Sequence, residues 1–498
     1  MFTTINLSPH WRAVITALGA LSAFCGPALA ESQLQTCRVA GLRHAAQCGV
    51  VQRALDPARP SGVQIDVHYV VVPALARRKY PDPVFLLAGG PGQSAIQLAP
   101  RVLPLFSRLN NRRDLIFVDQ RGTGLSAPLV CDDTRAQPLA ELADAEAQLR
   151  QITRCRKQLQ SLPHGDLRFF TTVLAMQDLD AVRRQLGAQR INLVGASYGT
   201  RAALDYQRQF PASLRRSVLD GVAPADMVLP LSMSVDNQAA WDALLADCEQ
   251  NPACRNAHPS LRRDAAALFS SLPKPVTAAH PLTGQVESFV FTRELLLSAV
   301  RGPLYAPPIA AALPQAISNA AAGRFESLLG LSSLLSPRKG SALAMGMHFS
   351  VICAEDAPRM SAAAKLTQAK NPDFGDSTAQ LYAKVCATWP QAAVPVAFYD
   401  TPLSASPVLM LSGGLDPATP PRHATRVALA LGPNALNVVV PHAGHGVMAV
   451  GCMRDVIYKF IDTEEDDAAL KVATRCADAV PRPGAFQPLR LPLQPPEK

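Results

Sequence analysis

The chain has 498 residues, 48% of them hydrophobic and only 17% charged. That excludes disorder and coiled coil and leaves two domains, or one large core with an insertion. The net charge of +9 is scattered, and its densest clusters, Arg77-Arg78-Lys79 and Arg112-Arg113, are too short to form a nucleic-acid stripe, so no nucleic-acid partner is implied. Forty-three prolines against twenty-nine glycines argue for many loops rather than a helical bundle.

Taken in chain order, the amino terminus comes first. Residues 1–12 carry Arg12 and no acid, residues 13–24 are almost entirely apolar, and Ala28-Leu29-Ala30 forms a small-x-small cleavage site. This is the layout of a signal peptide over 1–30, with a mature chain from Glu31. Gly19, Ser22 and Pro27 interrupt the apolar stretch and argue against an anchor, and Phe24 is too large to precede a lipidated Cys25. The expectation is export, to the periplasm or beyond the cell, with no stable membrane insertion. Ten cysteines remain after the leader: Cys37, Cys48, Cys131, Cys155, Cys248, Cys254, Cys353, Cys386, Cys452 and Cys476. They fall into close successive pairs, as an oxidising compartment would join them. No CxxC pair or spaced histidine cluster points to a metal.

Residues 63–70 alternate like a half-buried strand. Short apolar runs follow at 84–87, 115–118, 191–194 and 217–219, and again at 408–411 and 436–440, as buried parallel strands do. Within 172–186, Val173, Met176, Leu179, Val182 and Leu186 recur at helical steps. Strands alternating with helices predict an α/β chain with a mostly parallel, doubly wound sheet. The rhythm stops after Ala225 and resumes near Pro407. The division expected is therefore a core over 31–225 and 406–480, a mainly helical cap over 226–405, and a Pro-rich tail over 481–498. Such a cap covers the carboxyl edge of the sheet, where open α/β folds bind ligands.

Gly195-Ala196-Ser197-Tyr198-Gly199 lies between a predicted strand and a predicted helix, the setting of a G-x-S-x-G nucleophile elbow. A serine needs a base, and the base an orienting carboxylate. Asp416 follows the strand at 408–411, and His445 follows the strand at 436–440. The order Ser197, Asp416, His445 is that of α/β-hydrolases. His442 is the competing histidine, but it abuts Pro441 at the strand end, whereas His445 sits between two glycines. The glycine-rich Ala88-Gly89-Gly90-Pro91-Gly92 supplies a backbone N–H from Gly90 to an oxyanion hole, completed by the N–H of Tyr198. This acyl-transfer chemistry requires no metal and no organic cofactor.

Together, Gly89-Gly90-Pro91-Gly92, Asp119-Gln120-Arg121-Gly122-Thr123-Gly124-Leu125-Ser126, the serine motif and the Asp416 and His445 loops resemble the prolyl and tripeptidyl aminopeptidase family of α/β-hydrolases. The resemblance spans about 60–225 and 400–460. It implies a serine exopeptidase acting on a peptide substrate with a free amino terminus. It also implies that Asp119 and Arg121 buttress the oxyanion loop. The prolyl branch usually has His before GGPG; here Ala88 stands there, which is closer to the secreted tripeptidyl branch. An aminopeptidase must hold a cationic amine, and a partly buried carboxylate does this well. Glu355, and after it Asp356, are the expected anchors. Two other readings stay open: an exported carboxylesterase on the same fold, and a catalytically silent binding protein.

Overall fold

The computed structural model describes residues 34–334, 343–361 and 373–486. The expected signal peptide and residues 487–498 of the tail lie outside the described residues. Among the described residues, no helix is long and apolar enough to cross a membrane.

The described residues form eleven strands: β1 (Gln35–Cys37), β2 (Ala46–Ala54), β3 (Gln64–Val72), β4 (Val84–Leu87), β5 (Leu115–Val118), β6 (Ile191–Ala196), β7 (Leu214–Asp220), β8 (Lys274–Ala279), β9 (Val286–Phe291), β10 (Val408–Gly413) and β11 (Ala435–Val440). Nine form one sheet in the order β1-β2-β3-β5-β4-β6-β7-β10-β11. Pairing is antiparallel from β1 to β5 and parallel from β5 through β4 to β11. The reason is legible in the residues: β4, β5 and β10 are buried at every position. Side chains alternate between faces along a strand, so each strand feeds two cores. Val84, Leu86, Leu409 and Leu411 join Val456, Ile457 and Phe460 of the helix Met453–Asp462 on one face. Phe85, Leu87, Val408 and Met410 join Met176 and Leu179 of the helix Thr172–Gln185, and Ala202 and Tyr206 of the helix Tyr198–Gln209, on the other.

Two features go beyond the sequence reading. Strands β1 and β2 extend the sheet at its amino-terminal edge, tied by Cys37–Cys48; their mixed polar residues give no buried-strand signal. The cap, inserted between β7 and β10, contains the β8-β9 hairpin as well as helices. Its core gathers Trp241, Phe269, Phe291, Leu297 and Leu328, and Leu139 from the other side of the chain joins it. The Leu139 N–H donates to the Glu287 carboxylate at 2.6 Å. The neighbouring helix Ala145–Gln160 supplies Cys155 and Leu159 to a cluster with Phe349 and Cys386. The stretch 139–160 thus packs against residues of 226–405 as well as against Leu55, Ile65 and Leu129. Its apolar face is helical in period, and period alone does not say which neighbour that face meets. The ten cysteines pair in chain order: Cys37–Cys48, Cys131–Cys155, Cys248–Cys254, Cys353–Cys386 and Cys452–Cys476.

Candidate active site

Ser197 stands between the end of β6 and the helix Tyr198–Gln209, with φ 55° and ψ −124°. Positive φ is costly for a non-glycine residue and survives only where the surroundings over-determine it. Here the Ser197 N–H donates to the Asp220 carbonyl at 2.8 Å, and its own carbonyl accepts from the Thr200 N–H at 2.8 Å and the Thr200 hydroxyl at 2.6 Å. The two motif glycines are steric necessities. A Cβ on Gly195 would collide with the Gly199 carbonyl, and one on Gly199 with the Leu87 carbonyl.

Asp416 and His445 come together beyond β10 and β11, with His445 Nδ1 2.9 Å from Asp416 Oδ2. Asp416 also accepts from the Ala418 and Thr419 N–H groups at 2.8 and 2.9 Å, and from the Thr419 hydroxyl at 2.7 Å. Burial works to raise the Asp416 pKa, but the His445 interactions and the backbone donors outweigh it and hold it below the ordinary value. Burial likewise works to lower His445, and the Asp416 carboxylate outweighs it and raises the imidazole above 6.5. His442 points elsewhere: its Nδ1 lies 2.9 Å from the Val480 carbonyl.

Three further residues hold this pair, and none was singled out from the sequence. Thr419 Oγ1 lies 3.1 Å from His445 Nδ1 as well as bonding Asp416. Asp220, the last residue of β7, accepts from the Val447 and Met448 N–H groups at 2.9 Å and so fixes the chain just past His445. Burial pushes its pKa up to about 6. An acid directly after the buried run 217–219 was the available signal. Tyr305 comes from the cap: its carbonyl accepts the His445 N–H at 2.9 Å, and its ring meets the imidazole edge-on at 5.1 Å.

The loop of Gly90 follows β4 and lies beside the serine; a Cβ on Gly89 would sit 3.1 Å from that of Ser197. Asp119, at the end of β5, accepts from the Ser94 hydroxyl at 2.6 Å and the Ile96 N–H at 3.1 Å, where the loop enters the helix Ala95–Val102. Arg121 makes a two-pronged pair with Asp178 at 2.7 and 2.8 Å and also donates to the Leu55 and Phe169 carbonyls. Both residues are buried.

Glu355 and Asp356 lie deeper than the partly buried position expected of an amine anchor. Both are 0% exposed, as is Arg201 of the helix that starts beside Ser197. Arg201 donates to Asp356 at 3.2 Å through both terminal nitrogens and to Glu355 at 3.4 Å. Glu355 also accepts from the Thr172 N–H at 2.7 Å and the Thr172 hydroxyl at 3.0 Å, and that hydroxyl lies 2.7 Å from the Tyr198 hydroxyl. The two acids thus share a buried ionic cluster with Arg201, on the helix that starts beside Ser197. Burial pushes Glu355 up to about 7 against the pull of Arg201.

The strand order, the strand-end serine and the strained elbow define a serine hydrolase. A family model described as the α/β-hydrolase fold matches residues 82–451, and the chain belongs to that family. It is 28% identical over 411 residues to serine protease Hip1 of Mycobacterium tuberculosis, covering 75% of this chain and 77% of that one. It is 26% identical over 477 residues to a tripeptidyl aminopeptidase of Streptomyces lividans, covering 88% and 85%. Carboxylesterase B of Mycobacterium tuberculosis is 27% identical over 226 residues, 42% of this chain and 43% of that one.

Proposed function

We propose that this chain is an exported serine exopeptidase that cleaves a peptide bond near a free amino terminus. The observation that carries this reading is the His445–Asp416 pair at 2.9 Å, set beyond two strands of the sheet that also presents Ser197. Ser197 attacks the scissile carbonyl while His445 takes its proton. Asp416 fixes the imidazole tautomer and stabilises its cationic form. The Gly90 and Tyr198 N–H groups receive the oxyanion, His445 protonates the leaving amine, and water then cleaves the acyl-enzyme. A peptide is favoured over an ester because the relatives named as a protease and an aminopeptidase align over most of this chain, and the esterase over less than half. Five disulfides support an oxidising compartment.

One panel tests this: aminoacyl and tripeptidyl anilides, with free and blocked amino termini, beside aryl esters, with Ser197→Ala as control. Turnover of free-amine anilides that blocking abolishes is the expected result. Ester turnover alone would move the assignment to an esterase. No Ser197-dependent turnover of either would leave a binding protein.

A further inference from the structure

The loop that carries Gly90 is gripped from the cap side. Gly90 itself has φ +116°, a conformation that L side chains rarely adopt, so its N–H direction depends on how the loop is pinned. Among the described residues, the loop closes on itself through the Gln93 N–H to Gly89 carbonyl bond at 3.2 Å. Further contacts come from Ala344 and the helix Met345–Glu355 that follows it. The Ala344 N–H donates to the Gly92 carbonyl at 2.9 Å, and His348 Nδ1 lies 3.2 Å from the Pro91 carbonyl. A carbonyl only accepts, so Nδ1 carries the hydrogen. His348 Nε2 lies 2.7 Å from the Tyr382 hydroxyl on the helix Ser377–Cys386. With Nδ1 donating, a neutral ring accepts at Nε2 and the tyrosine donates.

This arrangement is rigid. His348 is 4% exposed. Its ring meets Phe349 at 5.5 Å and Tyr382 at 5.8 Å, and Phe349 meets Trp389 at 5.3 Å. The Trp389 indole donates to the Ser350 hydroxyl at 3.0 Å, and Cys353–Cys386 joins the two helices. The protonation state is equally fixed. Burial pushes His348 down to about 4, with the Arg301 cation on a third helix acting in the same direction. Burial pushes Tyr382 up to about 12, so it stays a donor. Both ring nitrogens of this neutral, boxed imidazole are engaged, Nδ1–H by the Pro91 carbonyl and Nε2 by the Tyr382 hydroxyl. What it holds is the carbonyl next to the nominated oxyanion donor.

We propose that His348, oriented by Tyr382, is a positioning residue for the oxyanion loop, holding the Pro91 carbonyl so that the Gly90 N–H faces the developing negative charge. This rests on the assignment of Gly90 and Ser197 to the reacting site, not on the peptide preference. A positioning role acts on the transition state, so it lowers kcat and leaves substrate affinity nearly alone. A packing role changes thermal stability without that split.

The test uses the full mature chain and two readouts: kcat and KM on whichever anilide or ester the wild type turns over, and the affinity of an aryl boronic acid, whose serine adduct places an oxygen in the oxyanion hole. His348→Leu is expected to lower kcat by about 10- to 100-fold, with KM within about threefold and boronate affinity reduced in step. His348→Asn, whose amide reaches the Nδ1 position, is expected to restore most of kcat. Tyr382→Phe keeps the ring packing and removes the hydroxyl, and is expected to cost about three- to tenfold in both readouts. The proposal is overturned if His348→Leu or Tyr382→Phe shifts the thermal midpoint alone, or if His348→Asn is no better than His348→Leu. Should His348→Leu fail to fold, Tyr382→Phe decides. Boronate binding needs no turnover, so a failure to cleave peptides would sink the exopeptidase reading and leave this test standing.

Discussion

The carboxyl edge of the sheet and the cap above it contribute to one site in different ways. At the sheet edge six groups sit within five residues of a strand end: Gly90 after β4, Asp119 after β5, Ser197 after β6, Asp220 closing β7, Asp416 after β10 and His445 after β11. The cap's contributors, Tyr305 and His348, belong to helices or their ends and touch the site through backbone carbonyls, accepting from the His445 N–H and donating to Pro91 respectively. On the proposed reading the core would supply the reacting groups, and the cap would set how firmly their loops are held. Core variants should decide whether reaction occurs; cap variants should grade its rate.

The largest expected effects lie in the core. Ser197→Ala and His445→Ala should each reduce kcat by about 10⁴- to 10⁶-fold, with thermal midpoints near wild type. Loss of activity in His442→Ala but not His445→Ala would reverse the histidine assignment. Asp416→Asn should cost about 10²- to 10⁴-fold. It should also move the acid limb of the kcat/KM profile. The base must be neutral, and Asp416 raises the His445 pKa, so wild-type activity falls away as pH drops through a value above 6.5. Removing the carboxylate lets that limb move to lower pH. An unmoved limb would mean the titrating group is not His445.

Between the two regions lies the Arg201–Glu355–Asp356 cluster, which joins the serine helix to the cap helix Met345–Glu355. Arg201→Met strands two buried acids and should cost about 3–5 kcal/mol, read as a urea midpoint. Glu355 gives the cluster a pH signature. Its folded pKa is raised to about 7 from 4.5, so the folded state binds that proton more tightly. Its stabilising contribution is complete below the unfolded value and is lost as pH rises through about 7. Glu355→Gln should flatten stability across that window. The same slope in variant and wild type would show that Glu355 is already ionised in the folded protein.

What could be read from the sequence follows the same division. The strand-end placement of Ser197, Asp416 and His445 was legible because each lies in a short pattern just past a buried run, and chain geometry there is local. Strands β4, β5 and β10 announced themselves as unbroken apolar runs, and the helix Thr172–Gln185 by its period. Asp220 was hidden because an acid before Gly221 reads as a turn, and Thr419 because its hydroxyl matters only once folding brings Asp416 and His445 to it. The pairing of Glu355 and Asp356 with Arg201 was hidden because it joins residues more than 150 positions apart. The packing of the helix Ala145–Gln160 against Phe349 and Cys386 was hidden for a related reason: a helical period shows that a face is buried, not against what.

The smallest effects separate core from cap most sharply. Thr419→Val removes a hydroxyl that donates to Asp416 Oδ2, the oxygen that also bonds His445 Nδ1. Losing one donor leaves more negative charge for the other, so the His445 pKa should rise further and the acid limb should move up, opposite to Asp416→Asn. The accompanying loss in kcat should be about tenfold, the scale of one hydrogen bond to a charged group. Tyr305→Leu removes the ring edge from the imidazole but keeps the carbonyl that accepts the His445 N–H. It changes no charge, so the limb should stay in place while the plateau of kcat/KM drops by about three- to tenfold, the scale of one lost aromatic contact. A shifted limb in Tyr305→Leu would show the cap reaching into the electrostatics of the His445–Asp416 pair. An unshifted limb with a lower plateau would confine the cap to holding the loop.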